Sequence, residues 1–339
     1  MKTQKTLTFQ NLKKVIENFN KNSQLNDFAK YLQTDFAKKY VLFLGGEQIT
    51  GSLSPFMHTY SAFLQNFPLL YLLKPITKEQ LKQNIDNIAL TKDILGANIT
   101  MPFKVEAYNY LNEKYFLDNS AILVGAINTL IKKDEKLIGL NTDLDGIIKP
   151  IEEKLDIKNI PKNGYILGAG GASRAVLAGM LKLGITNIII FNRHYENVEN
   201  LINYFNSLEV KNILQKDFSI NFIKYDVENN EINNISDYIK KPGILVNTLP
   251  FGFKDNLPKY PILISEFDKI AKNIVLYFDI VYDLNHKNTP LSEYIKENYK
   301  NILICKGIEM LIYQAKTGFE NWTAKRFDCE MMKNILMKY

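Results

Sequence analysis

Cysteine is nearly absent: Cys305 and Cys329 are the two in 339 residues. They stand in no metal-ligand or redox spacing, so the chain has no disulfide framework and suits a reducing compartment. No run of about eighteen apolar residues occurs, which argues against a membrane span. The start, MKTQKTLTFQNLKK, lacks the apolar stretch of a signal peptide, so the sequons at Asn98 and Asn321 read as chance matches. No basic block exists either. The formal net charge of +6 is spread along the chain, without arginine-rich or stacked-aromatic motifs, which argues against a nucleic-acid partner and mildly favours an anionic ligand. Repeats and low-complexity linkers are also missing. Lysine far outnumbers arginine, which reads as compositional drift. What is present is ordinary globular composition, 46% hydrophobic and 23% charged, in a chain long enough for two domains.

Residues 1–38 read as a helical N-terminal extension, an accessory cap on the domain behind it. Leu12, Val15, Ile16 and Phe19 recur at helical spacing, and Phe28, Tyr31, Leu32 and Phe36 form a weaker second stripe. From residue 39 strands and helices alternate. YVLFLG, LLYLL and ILGANIT read as strands, and Ser54–Phe67 and Ile76–Leu90 as helices, the first opened by Ser54 with Pro55 behind it. Two short strands, AINTLI and KLIGLN, follow. A second series starts near residue 143 with a helix over Asp143–Leu155. It continues through the strands GYIL, NIIIF, FIKYDV, GILVNTL and NIVLYFDIVY, and ends in helices over Gly307–Trp322 and Arg326–Met337. Such alternation implies parallel strands with helical crossovers, an α/β chain.

ILGAGGASRAV is the most legible motif. Gly168, Gly170 and Gly171 follow an apolar run and open a helix, and Ser173 sits where a third glycine often stands. Glycines let the backbone turn tightly and approach a pyrophosphate, and the helix start supplies free N–H groups. The next strand, NIIIF, makes this a strong dinucleotide motif. That strand ends FNRHYE. An acid at its end would accept from a ribose 2′-hydroxyl. Asn192 and Arg193 stand there instead, and Arg193 can clamp a 2′-phosphate, which points to NADP. The competing reading leaves Arg193 exposed and gives the ribose to Glu196.

Small polar residues collect at strand ends and helix starts of the first series: Ser52, Ser54, Asn98, Thr100, Asn128, Asn141, Thr142 and Asp143. Each alone reads as a cap or turn residue, Ser54, Asn141 and Asp143 above all. Together they describe a cleft outside the carboxyl ends of parallel strands, suited to a polyhydroxylated acid. Lys104, after Pro102, reads alone as a solvated lysine opening the next helix. With Asp143 it forms the one obvious titratable pair, and hydride transfer to or from an alcohol carbon needs a proton handler.

From about residue 40 to 323 the chain resembles the shikimate dehydrogenase family, through motifs in the family's order. GSLSPFMH resembles its substrate-carboxylate loop, with Ser52 and Ser54 in the serine places. GANITMPFK resembles the signature that carries the catalytic lysine, here Lys104. GAINT supplies Asn128 and NTDLDG supplies Asp143. GAGGASRA, which includes Ala172, and the following NR resemble the NADP site. VNTLPFGF, with Thr248, and DIVYDLNHKNTPL, with Tyr282, resemble two further blocks. GIEMLIYQAKTGFENWT resembles the closing helix, with Gly307 on the cofactor side and Gln314 reaching a substrate hydroxyl.

The resemblance implies two α/β domains. A substrate domain with a mixed sheet would span residues 39–142 plus 307–339, and an NADP-binding Rossmann domain residues 143–306. Lys104 and Asp143 would be catalytic. Ser52, Ser54, Asn98, Thr100, Asn128, Tyr282 and Gln314 would bind substrate. Gly168, Gly170, Gly171, Ala172, Asn192, Arg193, Thr248 and Gly307 would bind cofactor, with no metal. The activity implied is reversible NADPH-dependent reduction of 3-dehydroshikimate to shikimate in aromatic biosynthesis, in the cytoplasm, by a monomer or homodimer. Two alternatives stand beside it: a quinate/shikimate dehydrogenase preferring NAD, and a non-catalytic ligand sensor on the same fold. The chain departs from the family pattern in carrying Gly51 for a histidine, His194 for a threonine, Asn197 for a basic residue, and Leu249 before Pro250. It also has a longer loop after Tyr282, Glu309 for a glycine near the expected nicotinamide side, and the extension 1–38.

Overall fold

The computed structural model describes residues 2–19, 24–226, 231–232, 234–251, 259–282 and 288–337. Parts of two motifs lie outside these residues: 252–253 of VNTLPFGF and 283–287 of the loop after Tyr282. The chain divides into two compact units, Met1–Thr142 with Ile312–Tyr339, and Asp143–Leu311.

In the first unit α1 (Lys2–Asn18) and α2 (Gln24–Tyr31) precede β1 (Lys39–Gly45), α3 (Ser54–Leu64), β2 (Leu69–Pro75), α4 (Leu81–Leu90) and β3 (Ile94–Ile99). Then come α5 (Lys104–Lys114), β4 (Phe116–Leu117), α6 (Asn119–Val124), β5 (Thr129–Lys133) and β6 (Lys136–Leu140). The sheet order is β2-β1-β3-β5-β6-β4. β1 runs parallel to β2 and β3, while β5 runs antiparallel to β3 and β6, so the sheet is mixed. Strands covered on both faces carry continuous apolar runs, as in Leu69–Leu73 of β2, all buried. β2 is an edge strand, and α1 covers it: the Leu73 N–H donates to Thr8 Oγ1 at 2.9 Å. Phe28 on α2 packs edge-on against Phe56 and Tyr60 of α3.

In the second unit α7 (Asp143–Lys154), β7 (Asn163–Leu167), α8 (Gly171–Lys182), β8 (Asn187–Asn192), α9 (Tyr195–Phe205), α10 (Leu208–Leu214) and β9 (Ser219–Asp226) come first. They are followed by β10 (Glu231–Ile232), β11 (Gly243–Asn247), α11 (Ile264–Ile270), β12 (Ile274–Asp279), α12 (Pro290–Asn298) and β13 (Leu303–Lys306). The sheet order β10-β9-β8-β7-β11-β12-β13 is the 3-2-1-4-5-6 arrangement of dinucleotide-binding folds with one antiparallel edge strand added. α13 (Gly307–Thr323) begins in this unit and α14 (Cys329–Leu336) closes the chain.

Several boundaries differ from the sequence expectation. α3 ends at Leu64 rather than Phe67, and its N-cap is Leu53; the Ser54 hydroxyl caps nothing and turns to Tyr71 instead. α4 starts at Leu81, because Thr77–Gln80 forms a turn closed by the Gln80 side chain on the Thr77 N–H. The Asn141 amide donates to the Ala126 carbonyl at 2.8 Å. α14 is shorter than expected, with Asp328 as its N-cap accepting from the Met331 N–H. The short elements β4, β10 and β13 carry too few residues for periodicity to reveal.

Candidate functional site

In the first unit the polar residues at the strand ends are joined into one frame. The Tyr71 hydroxyl donates to Asn98 Oδ1 at 2.6 Å and takes a hydrogen bond from Ser54. Burial pushes the Tyr71 phenol well above its ordinary pKa, and the Ser54 bond offsets part of this, so the ring stays neutral. Asn98 Nδ2 donates to the Asn128 carbonyl at 3.0 Å and to Thr129 Oγ1 at 2.8 Å. Asn128 Oδ1 accepts from Thr129 Oγ1 at 2.9 Å and from the Thr142 N–H at 2.8 Å. Asn128 Nδ2 donates to Gln314 Oε1 at 3.1 Å, which ties β5 to α13 and leaves Gln314 Nε2 as that side chain's donor end.

Ser52 joins this frame through the loop. Its Oγ accepts from the Ser54 N–H at 3.1 Å. Thr100 directly follows β3 and is anchored by its N–H to the Leu44 carbonyl at 2.9 Å. Lys104 is the first residue of α5, behind a cis Met101–Pro102 peptide. Asp143 is the first residue of α7 and is buried.

Sequence reasoning missed Tyr71 and His58. Tyr71 read only as one apolar position of LLYLL. His58 is fully buried beneath it, rings 4.6 Å apart and 14° from parallel, with Trp322 edge-on at 5.2 Å. Burial pulls the His58 imidazole down to about 3, so it is neutral at working pH. No periodicity marks such residues, because the hydroxyl finds its partner on a neighbouring strand and the imidazole finds its surroundings on a strand and a distant helix.

In the second unit the glycine turn joins β7 to α8. Gly168 has φ +96, and a Cβ there would lie 2.5 Å from Thr248 Oγ1, so both backbone and space require glycine. Gly170 and Gly171 differ: nothing stands within 4 Å of where their Cβ atoms would be. Their faces are open at the N-terminus of α8, which suits close approach of an anionic diphosphate. Ala172 lies in the first turn behind them. Ser173 closes the turn from beneath, its buried hydroxyl donating to the Gly168 carbonyl at 3.0 Å. Thr248 is spent similarly, donating to the Leu167 carbonyl at 2.7 Å. At the end of β8, Asn192 Oδ1 accepts from the Ala169 N–H at 3.2 Å, linking the second strand to the turn. Arg193 is exposed and its Nε donates to His194 Nε2 at 3.0 Å. Glu196 is exposed in the first turn of α9.

Gly307 opens α13 with the Ile280 carbonyl 2.3 Å from where a Cβ would be, so any side chain would collide with backbone. Glu309 is buried and spent on its own unit. Its Oε2 accepts from the Lys306 N–H at 2.7 Å, a helix N-terminal cap, and its Oε1 pairs with Lys154 of α7 at 2.6 Å. Tyr282 lies three residues beyond β12 and is 40% exposed. Before it, Asp279 is a buried acceptor that the sequence did not single out. It accepts from Thr289 Oγ1 at 2.6 Å, the Tyr277 hydroxyl at 2.8 Å, Asn247 Nδ2 at 3.0 Å and the Val281 N–H at 3.2 Å. Burial raises its pKa, and these four donors pull the other way.

Among the described residues no cluster of His, Cys, Asp or Glu could hold a metal ion, and no helix is long and apolar enough to cross a membrane.

A mixed-sheet unit with a tied polar frame and a Rossmann-ordered unit with an open glycine turn, in one chain, are the two units of an α/β dehydrogenase. The family model for the shikimate dehydrogenase substrate binding domain matches residues 44–130. The chain is 33% identical over 303 residues to the shikimate dehydrogenase (NADP(+)) of Methanococcus vannielii, covering 89% of this chain and 97% of that protein. Among solved structures, a shikimate dehydrogenase in complex with NADP+ superposes with a TM-score of 0.71 at 31% identity, covering 89% of this chain and 95% of the other. The shikimate 5-dehydrogenase of Listeria monocytogenes, in complex with shikimate and NAD, gives 0.71 at 27% identity, over 88% of this chain and 96% of the other. The chain belongs to the shikimate dehydrogenase family.

Proposed function

We propose that this chain is an NADP-dependent shikimate dehydrogenase, reducing 3-dehydroshikimate reversibly to shikimate on the route to chorismate and the aromatic amino acids. The observation that carries this reading is the frame from Ser54 through Tyr71, Asn98 and Asn128 to Gln314. It gathers in one unit the polar side chains that a ring bearing hydroxyls and a carboxylate requires. Each is held by at least one internal hydrogen bond, so little ordering is left for substrate to impose. Ser52 and Ser54 take the carboxylate end. Asn98, Thr100, Asn128, Tyr282 and Gln314 serve the ring hydroxyls and carbonyl.

NADPH, when bound, supplies the hydride that converts the substrate carbonyl to an alcohol. Gly168, Gly170, Gly171 and Ala172 hold its diphosphate, and Asn192 and Arg193 the adenosine side. Arg193 takes the 2′-phosphate, with no acid ending β8 to repel it. Thr248 and Gly307 shape the path of the cofactor through backbone position rather than side-chain contact. Lys104 and Asp143 move the proton to the carbonyl oxygen as the hydride arrives, and remove it in the reverse direction.

In this reading residues 39–142 with 307–339 form the substrate domain, 143–306 the NADP domain, and 1–38 a helical extension. Two free cysteines fit a cytoplasmic enzyme. Every substrate-side residue comes from one chain, so a monomer or a homodimer serves equally.

The test is a steady-state assay with shikimate and quinate, each with NADP and NAD. Shikimate with NADP should give the highest kcat/KM, and a preference for quinate with NAD refutes the reading. Lys104→Ala and Asp143→Asn should each lower kcat by about 10²-fold or more with a small change in KM. Near-wild-type kcat in Lys104→Ala removes its catalytic role.

A further inference from the structure

We propose that Asn11, on the N-terminal helix α1, is a positioning residue for the substrate-side serines, fixing the Thr50–Ser52 segment that leads into Ser54. This rests on the substrate roles of Ser52 and Ser54 proposed above. α1 lies outside the region matched by the family model, so its contribution belongs to the part of the chain that the family pattern leaves unassigned.

α1 is anchored by an ordinary apolar face. Leu12, Val15 and Ile16 are buried in the first unit. Two polar residues are buried with them. Thr8 is accounted for by the Leu73 N–H it accepts at the edge of β2. Asn11, 6% exposed, spends its Nδ2 on the loop instead. It donates to the Thr50 carbonyl at 2.8 Å and to the Ser52 carbonyl at 3.1 Å. Asn11 Oδ1 is buried and has no partner among the described residues. An amide with an unpaired oxygen is a poor choice for packing alone, where a leucine of nearly the same shape would avoid the desolvation. What the asparagine adds is the grip on two carbonyls.

Those carbonyls flank Gly51 and Ser52. The segment has local bonds of its own, with the Ser52 N–H on the Ile49 carbonyl at 3.0 Å and Thr50 Oγ1 on the Glu47 carbonyl at 3.2 Å. It is otherwise a short 3₁₀ turn with Gly51 in open space. Fixing the 50 and 52 carbonyls sets the peptide planes before Gly51 and after Ser52, and so the direction of the Ser52 side chain between them. Ser52 Oγ in turn accepts from the Ser54 N–H, which passes the alignment to the start of α3. The extension thereby orders a loop that substrate would otherwise have to order on binding.

The test compares four variants with the wild-type full chain. Asn11→Leu should raise the KM for shikimate about tenfold, with kcat, the KM for NADP and the melting temperature held at wild-type values. Asn11→Gln, which keeps the amide on a longer stem, should give a smaller rise and serves if Asn11→Leu fails to fold. Thr8→Val should lower the melting temperature and leave both KM values alone. Ser52→Ala calibrates the loop. If Ser52→Ala raises the shikimate KM while both folded Asn11 variants stay within twofold of wild type, the Asn11 inference is overturned and the proposed function stands. If Ser52→Ala and the Asn11 variants all leave it unchanged, the substrate role of the serine loop has failed and the inference with it.

Discussion

Lowering the pH from 7.5 to 5 should remove about 2 kcal/mol of stability from the first unit through His58 alone. The ring is buried, stacked on Tyr71 and faced by Trp322, with Nδ1 lacking a partner among the described residues. Burial pulls its pKa from 6.5 to about 3. The unfolded chain therefore takes up a proton below about 6.5, while the folded chain refuses it until about 3. The stability is fully present above the unfolded value and is lost as pH falls through that window, at about 1.4 kcal/mol per unit. At pH 5 the loss covers about one and a half units. A folded pKa one unit higher would leave this figure nearly unchanged, because pH 5 still lies above it. His58→Phe keeps the aromatic volume and removes the proton. Urea unfolding of both proteins at pH 7.5 and pH 5, followed by the fluorescence of Trp322, the one tryptophan in the chain, isolates the effect, since carboxylates titrate alike in both. The wild type should lose about 2 kcal/mol more than the variant. Parallel pH profiles for the two proteins would show that His58 is not a neutral buried imidazole.

Tyr71→Phe should raise the KM for shikimate about tenfold, a cost of about 1–2 kcal/mol for one buried hydroxyl, and leave the KM for NADP unchanged; initial-rate kinetics with each substrate varied will check it. The glycines of the nucleotide turn should separate cleanly. Gly168→Ala, at positive φ and against Thr248, should destabilise the fold by more than about 1 kcal/mol, seen in thermal melts. Gly170→Ala should melt like wild type but bind NADPH more weakly in a fluorescence titration, because its Cβ meets only the space the cofactor needs. Arg193→Ala should raise the KM for NADP by more than about tenfold and leave that for NAD alone; equal effects on both would move the 2′-phosphate elsewhere.

Period and punctuation carried much of this protein's architecture. Alternating apolar strands and amphipathic helices announced an α/β chain, and Gly168, Gly170 and Gly171 between a strand and a helix marked the nucleotide turn, Gly168 for its left-handed backbone and the other two for the close approach a bare Cα allows. Lys104, Asp143 and the small polar residues at strand ends were also visible, since short motifs preserve spacing. Which of those side chains serve the protein's own scaffold was decided by tertiary structure alone. Ser54, a good helix cap by sequence, bonds Tyr71 of β2 instead. Thr248 turns inward to Leu167. Glu309 caps α13 and pairs with Lys154, more than 150 positions away in the chain. Tyr71 and His58 were invisible because neither an apolar strand nor a buried helix face marks a polar side chain until the fold brings Asn98 beside the one and Trp322 beside the other. Asn11 carried no signal in the sequence, and its two hydrogen bonds exist only because the loop at Thr50–Ser52 folds back against it. Local sequence sets backbone preference and the rhythm of burial, whereas a polar side chain's partner is whatever the finished fold places within about 3 Å of it.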